Sequence, residues 1–207
     1  VAAGQALPGL AKLLGYGFTV EVAAARQADL GGQERTMAAV LARPALRACI
    51  TPGEGDVPRE LLLATIALAA SGAVAGVPVQ QLRDGSIVEL NLRGCGLGPM
   101  DAQLIALLIP ANTSVTSVNV LLNQLDVESA DLLLKAKAEK PNLRTLCGLT
   151  HKETQLNFTN QGLGPGDAML LAAEISIMAS VTSVNLSNNA LCGVTTDDYG
   201  RRSGTYT

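Results

Sequence analysis

The stretch that decides the fold is VELNLRGCGL, residues 88–97, together with three later segments that follow the same pattern. The later copies are TSVNVLLNQL at 116–125, TQLNFTNQGL at 154–163 and TSVNLSNNAL at 182–191. Each copy has two apolar residues two positions apart, then a polar residue or Cys three positions later, and then Leu. The first two copies end 28 residues apart, as do the last two, whereas the middle interval is 38 residues. The four segments are therefore internal repeats.

Each repeat is expected to fold as a strand followed by a helix. Alternation of apolar and polar residues predicts the strand, and apolar residues three to four positions apart, as at Leu104, Leu107 and Leu108, predict the helix. The predicted inward-facing pairs are Leu90 with Leu92, Val118 with Val120, Leu156 with Phe158, and Val184 with Leu186. Residues 143–146 begin a further strand at the position expected from the 28-residue period, and the pattern then breaks at residues 147–154. We expect a short irregular repeat there, between regular ones.

The motif L-x-L-x-x-[N/C]-x-L with a 28-residue period resembles the ribonuclease-inhibitor-like class of leucine-rich repeats, over about residues 87–191. The resemblance implies an α/β fold class, a leucine-rich repeat solenoid of 28-residue β-α repeats, preceded here by an all-α region. It also implies that one polar side chain in each loop satisfies buried backbone groups. These structural loop positions are Cys95, Asn123, Gln161 and Asn189, where Gln161 departs from the usual Asn or Cys.

The chain is expected to have two domains. Residues 1–80 are predicted to be α-helical, because residues 7–30 and 43–69 share a helix-break-helix plan some 36 residues apart. This plan resembles armadillo or HEAT helical repeats, and a helical cap on the solenoid is the alternative. Residues 81–207 are predicted to form the leucine-rich repeat domain. Its final residues, GTYT, are typical of the start of a helix, so we expect the domain to be truncated in mid-repeat.

The residues that alternate with the apolar pairs are predicted to form a concave, partner-binding face. They are Glu89, Asn91, Arg93, Asn119, Leu121, Asn157, Thr159, Asn185 and Ser187. The four asparagines occupy one equivalent place and are expected to form a ladder. Arg93, Glu89 and an exposed Leu121 are the predicted anchors of a partner. The alternative is that the amides bond only along the strands and to solvent.

Composition argues against several classes of partner. With 15 basic and 18 acidic residues, two Phe, three Tyr and no Trp, the chain lacks the charge and the stacking side chains of a nucleic-acid binder. The four cysteines are widely separated and the chain has one histidine, which argues against a zinc site or a disulfide framework. Reduced thiols of this kind are typical of an intracellular protein, so a cytoplasmic location is predicted.

Catalytic and cofactor sites are not predicted. The stretch GLGPMDA at residues 96–102 recurs as GLGPGDA at 162–168, so its glycines are explained by the repeat rather than by a phosphate site. His151 has no nucleophile fixed beside it by any motif. Residues 61–79 carry no charge, but their Ala, Gly, Ser and Thr content and Pro78 argue against a membrane span. We expect neither an enzyme nor a protein with a metal or a cofactor.

The function predicted from the sequence is protein-protein interaction through a concave leucine-rich repeat surface, with a protein of unknown identity as the partner. One alternative is the regulatory part of a larger protein, such as a sensor or a GTPase-activating element. The other is an adaptor anchored to a membrane through residues 61–79.

Overall fold

The structure is a computed structural model that describes residues 19–20, 36–48, 50–51, 59–192, 195–196 and 202–203. It divides into two compact units. The first contains Val1–Val88 and Gln103–Val115, and the second contains Glu89–Ala102 and Thr116–Thr207. The predicted domain boundary at residues 80 and 81 stays a prediction. Cys49, most of the predicted helical pair at residues 7–30 and the last four residues lie outside the described residues.

The first unit mixes short helices with a two-stranded antiparallel sheet. Its elements are β1 (Thr19–Val20), α1 (Met37–Leu41), α2 (Pro44–Ala48), β2 (Ile50–Thr51), α3 (Arg59–Ala69) and α4 (Val79–Asp84). β1 pairs with β2, with Thr19 opposite Thr51. The prediction of an all-α first region is therefore wrong, because two of its segments are extended and pair with each other.

Helix α3 supplies much of the buried interior of the first unit. Every residue from Leu61 to Ala69 is buried, and the Thr65 hydroxyl donates a hydrogen bond of 2.8 Å to the Leu61 carbonyl. The helix ends at Ala69, shortly before Gly72, whose φ of 79° is a conformation that favours glycine. Throughout the described residues, no helix combines the length and the apolar character needed to cross a membrane.

The second unit alternates three-residue strands with longer helices. Along the chain follow β3 (Glu89–Asn91), α5 (Pro99–Ala111), β4 (Ser117–Asn119), α6 (Val127–Ala138), β5 (Gln155–Asn157), α7 (Pro165–Ile175), β6 (Ser183–Asn185), β7 (Thr195–Thr196) and β8 (Arg202–Ser203). Only the first turn of α5 belongs to this unit. Helices α6 and α7 pack against each other. β3 pairs with β4 and β5 with β6, both in parallel, whereas β7 and β8 are antiparallel.

The predicted leucine-rich repeat solenoid is wrong. In the described part of the chain the parallel strands form two separate two-stranded sheets, β3 with β4 and β5 with β6, and no solenoid-like stack of repeats. A solenoid needs each repeat to add its strand to the same continuous sheet. The fold is mixed, with more helix than strand.

The segment after β4 interrupts the series of parallel strands. Thr145 and Cys147 form only isolated bridges, to Ser117 and Asn119. The backbone then turns away at Gly148 and His151, whose φ values are 70° and 62°. A chain in that left-handed conformation cannot extend a strand, so the sheet of β3 and β4 stops here.

Burial of the predicted apolar pairs differs between the copies. Leu90, Leu92, Val118, Val120, Leu156 and Phe158 are buried. In the last copy, however, Val184 is 37% exposed and Leu186 is half-buried. The first three copies thus contribute their apolar side chains to the interior, and the fourth contributes less.

Candidate functional site

The strand asparagines share one local geometry. In Asn91, Asn119, Asn157 and Asn185, the side-chain Oδ1 accepts a hydrogen bond from the backbone N–H two residues later, at 3.0–3.2 Å. This bond is typical of an asparagine that terminates a strand, and it fixes the orientation of the amide group. The same orientation therefore recurs at four places in the second unit.

The bond to Oδ1 leaves the amide nitrogen of each asparagine able to donate hydrogen bonds to another molecule. Within the described residues, the Nδ2 groups of these four asparagines donate no hydrogen bond to protein. Asn91, Asn157 and Asn185 are exposed and Asn119 is half-buried. Each Nδ2 carries two N–H donors, so the exposed Asn91, Asn157 and Asn185 present oriented donors to solvent, whereas the Asn119 amide lies close to Gly148.

The asparagines are arranged in two pairs rather than in one ladder. Asn91 lies opposite Asn119, and Asn157 lies opposite Asn185. A hydrogen bond of 2.5 Å from the Arg93 guanidinium to Gln161 Oε1 joins the loop after β3 to the loop after β5. We call the four asparagines together with Arg93 and Gln161 the asparagine surface.

The other predicted partner-binding residues are placed differently. Glu89 and Ser187 are exposed and Thr159 is half-buried, with 3.5 Å between the Thr159 and Ser187 hydroxyl oxygens. Leu121 is 0% exposed, so the prediction of an exposed hydrophobic anchor is wrong. The chain turns at Leu122, whose φ is 60°, and the alternation of inward and outward residues ends before Leu121.

Two of the four loop positions bond the backbone extensively. Asn123 Nδ2 donates to the Leu92 and Val120 carbonyls at 2.9 and 2.7 Å, and Asn123 Oδ1 accepts from the Leu97 N–H. Asn189 makes the equivalent bonds to Phe158, Leu186 and Leu163. Cys95 is exposed, and its thiol reaches only the Arg93 carbonyl at 3.8 Å. Gln161 instead bonds Arg93 and the Asn157 carbonyl.

Replacing Asn123 with Ala is expected to lower the free energy of unfolding by about 2 kcal/mol, because it leaves several part-buried backbone groups unpaired. Replacing Cys95 with Ala at the equivalent position should change it by less than about 0.5 kcal/mol. Urea denaturation of the two variants and of the unchanged chain measures both changes in the free energy of unfolding. Equal effects of the two substitutions would contradict this assignment of roles.

Each glycine-rich stretch is organised by an aspartate. The Gly98 N–H donates to Asp101 Oδ2 and the Gly164 N–H donates to Asp167 Oδ2, both at 2.9 Å. Burial raises the pKa of both carboxyl groups, although these backbone hydrogen bonds oppose the shift. The aspartates thus use backbone donors that a phosphate would need.

The sequence reasoning missed a buried carboxylate, Glu174 on α7. Its side chain is 0% exposed and accepts hydrogen bonds from the Thr145 hydroxyl at 2.7 Å and from the backbone N–H groups of Leu146 and Cys147. The spacing of Leu170, Leu171 and Glu174 puts the glutamate on the apolar side of its helix. This spacing is the feature of the sequence that indicates a buried carboxylate.

Two basic side chains also face Glu174. Lys137 Nζ lies 3.6 Å from Oε1, and His151 Nε2 lies 3.4 Å from Oε2. A buried carboxylate needs such partners, because an isolated charge away from water is strongly unfavourable. Glu174 therefore connects α6, α7 and the chain between Thr145 and His151.

The groups around Glu174 do not form a nucleophilic centre. Burial raises the pKa of the Cys147 thiol, and the Glu174 carboxylate raises it further, so the sulfur stays protonated. In the described ranges, no three His, Cys, Asp or Glu side chains come together so that they could hold a metal ion. The arrangement is one of structural support.

Comparison of the chain with protein-family models, curated proteins and solved structures finds no match. The resemblance of the four segments to leucine-rich repeats therefore stays a prediction.

Proposed function

We propose that this chain is a protein-interaction module and that a protein partner binds to the asparagine surface. The observation that supports the proposal is the repeated orientation of Asn91, Asn119, Asn157 and Asn185, in which the backbone holds each Oδ1. In Asn91, Asn157 and Asn185 the side chain is also exposed, and Nδ2 donates to no described residue. Donors that are already oriented lose less conformational entropy when they bind than freely rotating side chains do.

The chemistry of this surface suits a polypeptide ligand. Backbone carbonyls are acceptors at every residue of a peptide, and exposed amide donors complement them. Glu89 in β3 and Arg93 in the loop after it, both exposed, add charges of opposite sign. Such charges contribute more to the choice of partner and to the rate of association than to affinity.

A random-peptide display library, selected against the purified chain, provides ligands for the test. Replacing Asn157 and Asn185 together with Asp keeps Oδ1 as an acceptor and replaces both donors by negatively charged oxygens. We expect the selected peptides to bind this double variant at least about tenfold more weakly, since two hydrogen bonds of about 1 kcal/mol each are lost. Fluorescence anisotropy of labelled peptides measures the affinity.

The matched control replaces Gln81 with Glu and Asn142 with Asp, two exposed residues outside the asparagine surface. It adds the same two negative charges, so it should bind the peptides as the unchanged chain does. The proposal fails if the folded Asn157→Asp, Asn185→Asp variant retains full affinity for every selected peptide, or if the control loses as much.

A further inference from the structure

The outer edges of β3 and β6 are unpaired in the part of the chain that the structure describes. β3 pairs only with β4, and β6 pairs only with β5. An unpaired edge presents backbone N–H and C=O groups to which another strand can bond. The function proposed above rests on side chains and does not use these backbone groups.

The two parallel strand pairs share one pattern of backbone hydrogen bonds. In both pairs, two N–H groups just after the first strand donate to a carbonyl at the end of the second strand and to a carbonyl in the loop after it. The distances are 2.8–3.0 Å, and the donors with their acceptors are Leu92 with Asn119, Gly94 with Leu121, Phe158 with Asn185, and Asn160 with Ser187. The way in which one strand follows another is therefore the same in both sheets.

The two ends of this pattern complement each other. The next donors in the series are the N–H groups of Leu186 and Asn188, and neither donates a hydrogen bond within the described residues. The acceptors at the start of the series are the carbonyls of Asn91 and Arg93. The first accepts no hydrogen bond from any described residue, and the second accepts only a long one, of 3.8 Å, from the Cys95 thiol. The end of β6 thus lacks acceptors, and the end of β3 lacks donors.

The apolar side chains of β6 also lack a cover. Val184 is 37% exposed and Leu186 is half-buried, whereas the equivalent Val118 and Val120 are 0% exposed. At the outer edge of β4, an extended segment is bonded, with the Val118 N–H donating to the Thr145 carbonyl at 3.0 Å. A strand added to the equivalent edge of β6 would bury apolar surface, which favours association.

We propose that β6 of one molecule of this chain pairs in parallel with β3 of a second molecule, so that molecules associate head to tail. The Leu186 and Asn188 N–H groups of one molecule then donate to the Asn91 and Arg93 carbonyls of the next. A second molecule is the occupant because its unpaired acceptors have the same spacing as the unpaired donors. Since β3 and β6 are different surfaces, each added molecule leaves one edge of each kind free, and association continues beyond two molecules.

Sedimentation velocity of the purified chain over a range of concentrations measures the association. We expect species larger than two molecules to form as the concentration rises. Val184→Pro should weaken the association at least about tenfold, because the ring removes an N–H from the outer edge of β6 and lies where the second strand would bond. The Asn185 carbonyl bonds β5, so the backbone groups of the adjacent Val184 point to the outer edge, and the fold should be retained.

Val127→Pro is the matched control. Val127 is also an exposed valine, at 44%, and it is the first residue of α6, where proline is tolerated. It lies outside β3 and β6, so this variant should associate as the unchanged chain does. Circular dichroism checks that both variants are folded.

The exposed cysteines Cys95 and Cys192 test the head-to-tail arrangement independently. Cys95 occupies the loop position of Asn123, whose Oδ1 accepts from the Leu97 N–H of the preceding segment at 3.0 Å. In the proposed pairing, Cys95 of one molecule therefore lies near Leu191 of the next, beside Cys192. A short bismaleimide should join Cys95→Ser chains to Cys192→Ser chains in a mixture several-fold more than it joins either variant to itself. Peptide mass mapping identifies the joined cysteines.

Three results would overturn the proposal. The first is the mass of a single molecule at every concentration, and the second is an equal effect of Val184→Pro and Val127→Pro on association. The third is cross-linking of each cysteine variant alone to the same extent as in the mixture. If Val184→Pro does not fold, the cross-linking result decides by itself.

Discussion

Replacing Glu174 with Gln is expected to lower the free energy of unfolding by about 3 kcal/mol, since it removes one partner of a buried charge network. Gln has nearly the same shape as Glu, so the loss of stability would come from the lost charge and hydrogen bonds and not from altered packing. The Thr145 hydroxyl donates to one carboxylate oxygen, and the Leu146 and Cys147 N–H groups donate to the other. Gln keeps only one acceptor oxygen, so its amide nitrogen must face one of these two sets of donors and cannot accept from it. Lys137 also loses its counter-charge.

Urea denaturation followed by circular dichroism measures this difference, provided that the slope of the transition is the same for both proteins. Glu139→Gln is the matched control, because Glu139 is exposed at the end of α6 and should change stability by less than about 0.5 kcal/mol. If the two substitutions had equal effects, the structural role given to Glu174 would be wrong.

Replacing Gly166 with Ala is expected to lower the free energy of unfolding by about 2 kcal/mol, because the new Cβ overlaps the backbone of a neighbouring loop. It would meet the Leu125 carbonyl oxygen, and it would lie 2.9 Å from the Leu125 carbonyl carbon and 3.0 Å from the Asp126 oxygen. Backbone atoms cannot move aside as the end of a flexible side chain does. The start of α7 would have to shift instead.

Gly164→Ala is the control for this prediction. Its Cβ would meet only Asp167 Oδ2, at 4.0 Å, and its φ is −103°, which any residue adopts. Its effect on stability should stay within about 1 kcal/mol. Thermal and urea unfolding measure the stability of both variants. If the two variants were equally stable, the close packing of α7 on this loop would be wrong.

The positions of the strands could be predicted from the sequence, whereas the continuity of the sheet could not. β3, β4, β5 and β6 lie within the four repeated segments, because apolar alternation is a local property of the chain. Whether neighbouring strands join depends on residues 143–154, where Gly148 and His151 turn the backbone. Periodicity located that irregularity but gave no information on how it would fold.

The sequence predicts which residues of the candidate site are equivalent, but not how their side chains are oriented. The equivalence of the four asparagines is visible in the sequence, but the hydrogen bond that orients each amide depends on the backbone geometry after the strand. Alternation continued past the end of β4 predicts an exposed Leu121, but the strand ends at Asn119 and Leu121 is buried.

The central claim, that a protein partner binds to the asparagine surface, is tested most directly by the side-chain amide signals in a nitrogen–proton correlation spectrum. A peptide from the display selection is titrated into isotope-labelled protein, and the Nδ2 signals of the asparagines are followed. We expect the signals of Asn91, Asn157 and Asn185 to shift in proportion to the bound fraction, while that of the exposed Asn142 stays in place. Saturation of binding with the three strand signals unmoved would contradict the claim.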